Sequence, residues 1–279
     1  MITVITSCHN SHPDYLRESI KSILGQTYQD FEFLIADNGV GFNLKEFLAE
    51  FNDKRIKYID NYGNIGPTAS YDKLADMAKG EYVAIQDHDD ISLPDRLEVE
   101  KQALDNEPEI MSVSGKIHIF GRYEKDDGKA MAPEQVREEL LFWQPIKQPT
   151  CMKRKEFCKQ YKYDANYMIY DYEFWSRTRN IRHRIIDKFV LRYRKSASNS
   201  TRKRAIMIRE QHAKITQRNL AGIGINASIE LCQALDPYNH KPISAQTGLE
   251  FTKKCHALLK HISPELCLRK SEEVFAKIY

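Results

Sequence analysis

An α/β fold with a mostly parallel sheet is the class this sequence predicts, and three observations carry the prediction. Strand-like runs recur at residues 2–6, 31–36, 55–60 and 82–86, each separated from the next by a stretch with helical spacing. The first, second and fourth runs are almost unbroken apolar residues, as expected of strands covered on both faces. Polar clusters follow those same three runs: Cys8-His9-Asn10, Asp37-Asn38 and Asp87-His88-Asp89-Asp90. Open parallel sheets bind ligands beyond the C-terminal ends of their strands, so the coincidence of the clusters points to a ligand site.

The elements follow in order. Asn10-Ser-His-Pro13 breaks the first strand, and Ser11 with Asp14 has the spacing of a capping box. Leu16, Ile20 and Leu24 then predict a helix that Gly25 ends, and a second helix is predicted over 44–51. Asn61-Tyr-Gly-Asn-Ile-Gly66 is a loop whose glycines admit unusual backbone angles. Pro67 is suited to start the next helix, which carries Tyr71, Leu74 and Ala78 on one face and stops at Gly80. Helices over 94–104 and 133–142 flank a half-exposed strand over 111–119, and 143–149 is a loop. Phe174, Trp175 and Thr178 mark a helix, and 185–193 a strand. From about residue 201 the pattern is helical, with breaks near Gly222, Pro237 and Pro264. The expected organisation is an α/β domain over 1–200, with halves 1–100 and 101–200, followed by a helical extension over 201–279.

Composition narrows the function classes. At 279 residues, 42% hydrophobic and 29% charged, the chain can bury a substantial core and has the balance of a soluble globular protein. No apolar run reaches bilayer-spanning length. Met1-Ile-Thr-Val-Ile opens without a basic segment followed by a long apolar one, so no signal peptide is expected and cytoplasm is the expected compartment. The six cysteines are scattered without metal-site spacing and read as small buried hydrophobes. The formal charge is only +3, but residues 179–218 are strongly basic, which suggests either an anionic partner or a solvated helix face. Nucleic acid is not the expected partner, because no aromatics interleave with those bases in a known motif.

The chemistry of the acidic cluster is open when read alone. Three carboxylates ending an apolar strand suit either a solvated turn or a divalent cation carrying a diphosphate. The segments Ile2-Thr-Val-Ile-Thr-Ser-Cys-His-Asn10, Leu16-Arg-Glu-Ser-Ile-Lys-Ser-Ile-Leu-Gly-Gln-Thr-Tyr28, Phe31-Glu-Phe-Leu-Ile-Ala-Asp-Asn-Gly39, Asn64-Ile-Gly66 and Gly80-Glu-Tyr-Val-Ala-Ile-Gln-Asp-His-Asp-Asp90 together resemble glycosyltransferase family 2. Gln148-Pro-Thr150, Arg154 and Asp171-Tyr-Glu-Phe-Trp175 resemble the family's acceptor-side segment, whereas the C-terminal helical stretch carries no such resemblance.

The resemblance implies a GT-A, Rossmann-like fold and an inverting transferase that moves a sugar from a nucleotide diphosphate, UDP by expectation, to a hydroxyl of a cell-surface glycan or lipid-linked acceptor. It implies Asp89 as ligand of Mn2+ or Mg2+ and Asp87 at the ribose, or at the metal through water. Asp37 would contact the base, with Ser7, Cys8, Asn10 and Asn64 completing the nucleotide site. Asp171 would be the base that takes the acceptor's proton, although it is preceded by Tyr170 where the family usually has glutamate, and a helix-capping role is the alternative. The family's histidine after the strand matching 185–193 is missing, which leaves Arg194 or Lys195 to meet the diphosphate. Trp143 and Gln148 are acceptor-side candidates. The other classes weighed are a nucleotidyltransferase, for which the phosphate-binding glycine loop is missing from 7–13, and a catalytically decayed sugar-nucleotide binder. An anionic membrane surface met by the basic segment and C-terminal helices, and a homodimer, complete the expected partners.

Overall fold

The computed structural model describes residues 1–195 and 205–278. The elements in order are β1 (Ile2–Cys8), α1 (Pro13–Leu24), β2 (Phe31–Asp37), α2 (Leu44–Ala49), β3 (Ile56–Asp60), α3 (Pro67–Met77), β4 (Tyr82–Ile85), β5 (Ile91–Ser92) and α4 (Arg96–Asn106). They continue with β6 (Ser112–Gly121), β7 (Lys125–Asp127), α5 (Pro133–Glu139), a 3-10 turn (Gln148–Thr150), β8 (Met152–Arg154), α6 (Lys155–Gln160), α7 (Tyr170–Arg177) and β9 (His183–Lys195). Four helices follow: α8 (Ala205–Ala221), α9 (Ile229–Ala234), α10 (Ala245–Leu258) and α11 (Pro264–Phe275).

These elements form two compact units that interleave in sequence. The first takes Met1–Pro133, Ile146–Ala165 and β9, and holds the sheet. The second takes Glu134–Pro145, Asn166–Ile181 and the helices from α8 onward. A single boundary near residue 200 therefore does not describe the chain. The reason is apolar: Leu141 and Phe142, just past α5, share a core with Ala213, Leu220, Phe251 and Val274. The Tyr172 hydroxyl on α7 lies 3.2 Å from that of Thr216 on α8.

The sheet of the first unit has strand order β3-β2-β1-β4-β8-β6-β9-β5, with β7 on β6. β3, β2, β1 and β4 are all parallel, while β8 runs antiparallel to both β4 and β6. The sheet is thus parallel from β3 to β4 and mixed beyond β4, where the strands expected over 111–119 and 185–193 also lie. Every residue of β1 is buried. Successive side chains of a strand point to opposite faces. Ile2 and Val4 accordingly join Leu16, Ile20, Leu44 and Leu97 in one core, whereas Ile5 faces Tyr71 and Ala75 of α3. Gly80 lies where the chain passes β1 on its way into β4. A Cβ there would stand 2.5 Å from the Thr3 nitrogen, so no other residue fits without moving backbone.

The order 3-2-1-4 reverses direction between β1 and β4, so the strand ends of β1, β2 and β4 flank the switch point at which such sheets take ligands. Two local expectations are corrected. His12, not Ser11, caps α1, with its Nδ1 accepting the Asp14 N–H at 3.3 Å, because Pro13 already occupies the first helical position. Asp171 does not cap α7, since Ile169 holds that position and Asp171 lies inside the first turn. Among the described residues no helix is long and apolar enough to cross a membrane.

Candidate active site

The loops after β1 and β2 are tied into one platform. The Asn38 N–H donates to the Cys8 carbonyl at 2.9 Å, and the Asn10 N–H donates to the Gly39 carbonyl at 3.1 Å. His9 Nδ1 lies 3.0 Å from the Asn38 carbonyl, and Asn10 Nδ2 lies 3.1 Å from His9 Nε2. Asn10 takes φ of 46°, a left-handed angle that asparagine tolerates better than most residues. Asp37 Oδ1 accepts the N–H groups of Gly39 and Val40 at 3.0 and 3.1 Å, so it does fold its own turn. Its Oδ2 takes no hydrogen bond among the described residues. Asn64 stands beside this platform, near Gly39, and its Oδ1 accepts the Gly66 N–H at 2.8 Å. Ser7 and Cys8 are both buried. Burial pushes the Cys8 thiol up to about 12, which removes it as a nucleophile.

The acidic turn after β4 is built differently. Asp87 and Asp89 are half-buried and Asp90 is fully buried. Burial, then the charge of Asp89, pushes the Asp87 carboxyl above its ordinary value, against the opposing hydrogen bond from the Tyr71 hydroxyl at 2.7 Å. Asp90 is pushed well above its ordinary value by burial and then by Asp87 and Asp89. Asp90 Oδ1 accepts the Arg194 N–H at 2.8 Å, while its Oδ2 and His88 Nδ1 are buried without a partner among the described residues.

Sequence reasoning missed the groups that hold this turn in place. Gln86, fully buried, donates from Nε2 to the carbonyls of Asp90 at 2.8 Å and Asp87 at 3.1 Å. Its Oε1 accepts from Ser92 Oγ at 2.6 Å and from Arg96 Nη1 at 3.0 Å. Arg96 is fully buried as well, donating to the Ile85 carbonyl at 2.7 Å and pairing with buried Glu100 at 3.3 Å. Burial pushes Glu100 up to about 7, against the opposing charge of Arg96. One signal was legible: a glutamine ending an apolar strand, followed by arginine and glutamate four apart in the next helix.

The remaining candidates fall into other surroundings. Arg194 stacks on Tyr15 and Phe120, with its guanidinium carbon 4.1 and 4.5 Å from the ring centroids, and it pairs with Glu18. Lys195 Nζ lies over the Tyr193 ring at 4.8 Å. Gln148 is buried and donates to the Tyr163 hydroxyl, so its amide is engaged inside the first unit. Much of the basic run is paired in the fold: Arg184 with Glu107 at 2.6 Å, and Arg218 with buried Glu173 at 3.0 Å. Arg202, Lys203 and Arg204 lie outside the described residues. In the second unit, Trp143 donates to Glu139 Oε2 at 2.7 Å and sits edge-on to Tyr238. Asp171 is partly buried, its Oδ1 accepting the Tyr172 N–H at 2.9 Å. Burial raises its carboxyl above the ordinary value, against hydrogen bonds from Tyr172 and the Gln144 side chain.

The acidic turn fits a hard divalent cation. Crowded carboxylates that burial and mutual repulsion hold above their ordinary values, with one buried oxygen unpartnered among the described residues, are what such an ion satisfies. Among the described residues no cluster of three or more His, Cys, Asp or Glu is arranged to hold a metal by itself.

Comparisons with known proteins bear on family and fold. The Glycosyl transferase family 2 profile matches residues 3–156, which carry β1 to β4 and the acidic turn. An uncharacterized glycosyltransferase of Methanocaldococcus jannaschii is 34% identical over 209 residues, covering 70% of each chain. The O-antigen biosynthesis glycosyltransferase WbnJ of Escherichia coli is 32% identical over 217 residues, covering 74% of this chain and 84% of that one. The crystal structure of S. aureus TarS 1–349 in complex with UDP-GlcNAc has a TM-score of 0.66 at 15% identity, over 99% of this chain and 88% of that one. The mannosyltransferase PcManGT from Pyrobaculum calidifontis, in complex with GDP-Man and Mn2+, has a TM-score of 0.60 at 14% identity, over 99% of this chain and 80% of that one. Those structural likenesses are ones of fold, and the fold is GT-A. With a profile match over more than half its length and a relative this similar, the chain belongs to glycosyl transferase family 2 and is a glycosyltransferase.

Proposed function

We propose that the chain transfers a sugar, with inversion and with a divalent metal, from a UDP-type donor to a hydroxyl of a glycan or lipid-linked acceptor. The observation that carries the reading is the acidic turn at the switch point of the sheet, whose Asp87 and Asp90 carboxyls are held above their ordinary values. Asp89 would hold the metal, Mn2+ or Mg2+, and Asp87 would meet the ribose, or the metal through water. The bound cation would offset the charge of the diphosphate and of the leaving group. The loop platform of Ser7, Cys8, Asn10, Asp37 and Asn64 takes the base, with the free Oδ2 of Asp37 accepting the imide N–H of uracil. UDP-GlcNAc in TarS and GDP-Man with Mn2+ in PcManGT support a nucleotide-sugar donor and a divalent ion on this fold. The O-antigen role named for WbnJ supports a glycan acceptor.

In the transfer step the acceptor oxygen attacks the anomeric carbon as the bond from that carbon to the diphosphate oxygen breaks. The bonding pair leaves with the nucleoside diphosphate, and the hydroxyl proton passes to Asp171. A base must be ionised to act. Burial raises the Asp171 carboxyl, so transfer falls away on the acid side with a midpoint above the ordinary aspartate value of about 4. The linkage to stability runs the other way. A carboxyl whose folded pKa lies above its unfolded one contributes stability that is fully present below the unfolded value and is lost as pH rises through the folded one.

The test is a screen of nucleotide sugars for donor hydrolysis and transfer, repeated with Asp171→Asn. The variant should lose about 10²- to 10⁴-fold in transfer while keeping Mn2+-dependent UDP binding. Undiminished transfer by Asp171→Asn would remove the base assignment. Pyrophosphate as product, in place of UDP, would replace the whole reading with nucleotidyl transfer.

A further inference from the structure

The turn that carries Asp87, Asp89 and Asp90 is suspended from its carbonyls. The Asp87 carbonyl accepts from Ser19 Oγ at 2.9 Å and from Gln86 at 3.1 Å, and the Asp90 carbonyl accepts from Gln86 at 2.8 Å. The Asp89 carbonyl is held from the other side, by Arg194 Nε at 2.8 Å. The backbone N–H of the same Arg194 donates to Asp90 Oδ1 at 2.8 Å. One residue at the end of β9 thus fixes both the peptide that orients Asp89 and the carboxylate of Asp90.

The guanidinium is itself anchored. It is sandwiched near Tyr15 and Phe120, pairs with Glu18 on α1, and leaves only 12% of its side-chain surface exposed. A residue recruited to grip a diphosphate should present a free fork to it, since planar bidentate pairing is what arginine offers an anion. Here the fork already has a carboxylate and two rings.

We infer that Arg194 is a positioning residue for the metal-binding turn, anchored by Tyr15, Phe120 and Glu18, and not a ligand of the donor diphosphate. The inference rests on the metal-dependent reading of Asp89. It replaces the diphosphate role suggested by the residue's place just after the strand expected over 185–193. Lysine at 194 keeps a positive charge but has no Nε–H on the chain to reach the Asp89 carbonyl. Glu18 is half-exposed on α1, so glutamine there removes the anchor's charge at small risk to the fold.

The experiment is calorimetric titration of UDP into the full chain with and without Mn2+, for wild type, Arg194→Lys and Glu18→Gln. Metal-free UDP affinity should stay within about twofold in both variants. The gain in UDP affinity conferred by Mn2+ should fall about tenfold in Arg194→Lys and about threefold in Glu18→Gln, in the same direction. A diphosphate ligand behaves otherwise: freeing the guanidinium from Glu18 would tighten UDP binding, and Arg194→Lys would weaken it equally with and without metal. Either of those results, or an undiminished Mn2+ gain in both variants, overturns the positioning role. Should Arg194→Lys melt well below wild type, Glu18→Gln alone decides by the sign of its effect. If the wild-type chain gains no UDP affinity from Mn2+, the metal-dependent reading itself falls and the positioning role falls with it.

Discussion

The turns after β2 and β4 are both acidic, and they are built on opposite principles. Asp37 makes its own turn, with one carboxylate oxygen taking two backbone N–H groups within three residues. The Asp87–Asp90 turn does little for itself: its carbonyls hang from Gln86, just past β4, from Ser19 on α1 and from Arg194 on β9. A self-made turn keeps its shape whatever happens around it, but it engages half of its carboxylate in doing so. A turn held by distant groups leaves carboxylates clustered and poorly satisfied. That arrangement is costly in isolation and useful when a cation arrives.

Substitutions can break or sharpen this contrast. The largest effect is expected of Asp89→Ala, which should cut transfer at least about a thousandfold and abolish the Mn2+-dependent part of UDP binding, with little change in melting temperature. A sharp drop in thermal stability instead would mean that Asp89 builds its turn as Asp37 does. Next comes Arg96→Met. It strips the partner from buried Glu100 and a donor from Gln86 and the Ile85 carbonyl, and should cost about 3–5 kcal/mol by denaturant unfolding. A loss under about 1 kcal/mol would show that the turn does not depend on this network. The smallest effects separate the two jobs of Asp37. Asp37→Asn keeps the Oδ1 acceptor and should leave stability unchanged while raising the KM for a UDP-sugar by about tenfold, whereas Asp37→Ala should also lose about 1 kcal/mol of stability. Equal stability losses in the two variants would mean that charge, not the turn, is what the fold uses there.

How far the sequence could be read follows from how local each signal is. β1 to β4 and the helices between them were legible because apolar runs, Gly25, Pro67 and Gly80 sit within a few residues of what they determine. Asp37 and the acidic turn were legible as ends of strands. What holds the acidic turn was not, because Ser19 and Arg194 reach it from 68 and 105 positions away in the chain. The partners of three arginines in the basic run were hidden for the same reason: Glu107, Glu173 and Glu18, which pair with Arg184, Arg218 and Arg194, lie 77, 45 and 176 positions from them. Gln148 was legible as an acceptor-side candidate in a loop, but its burial and its hydrogen bond to the Tyr163 hydroxyl, 15 positions away, were not. The second unit was unreadable in outline, since nothing in 134–145 or 166–181 announces that these segments belong with helices after residue 205.

That last pairing limits how such a chain can be altered. Leu141 and Phe142 complete a core whose other members lie on α8, α9, α10 and α11 and on the loops that join them, and the Tyr172 hydroxyl meets that of Thr216 on α8. The C-terminal helices are therefore not a cassette that recombination can exchange at one crossover. A replacement tail must match apolar residues already written into the middle of the gene, so the tail and those inner segments are constrained to change together.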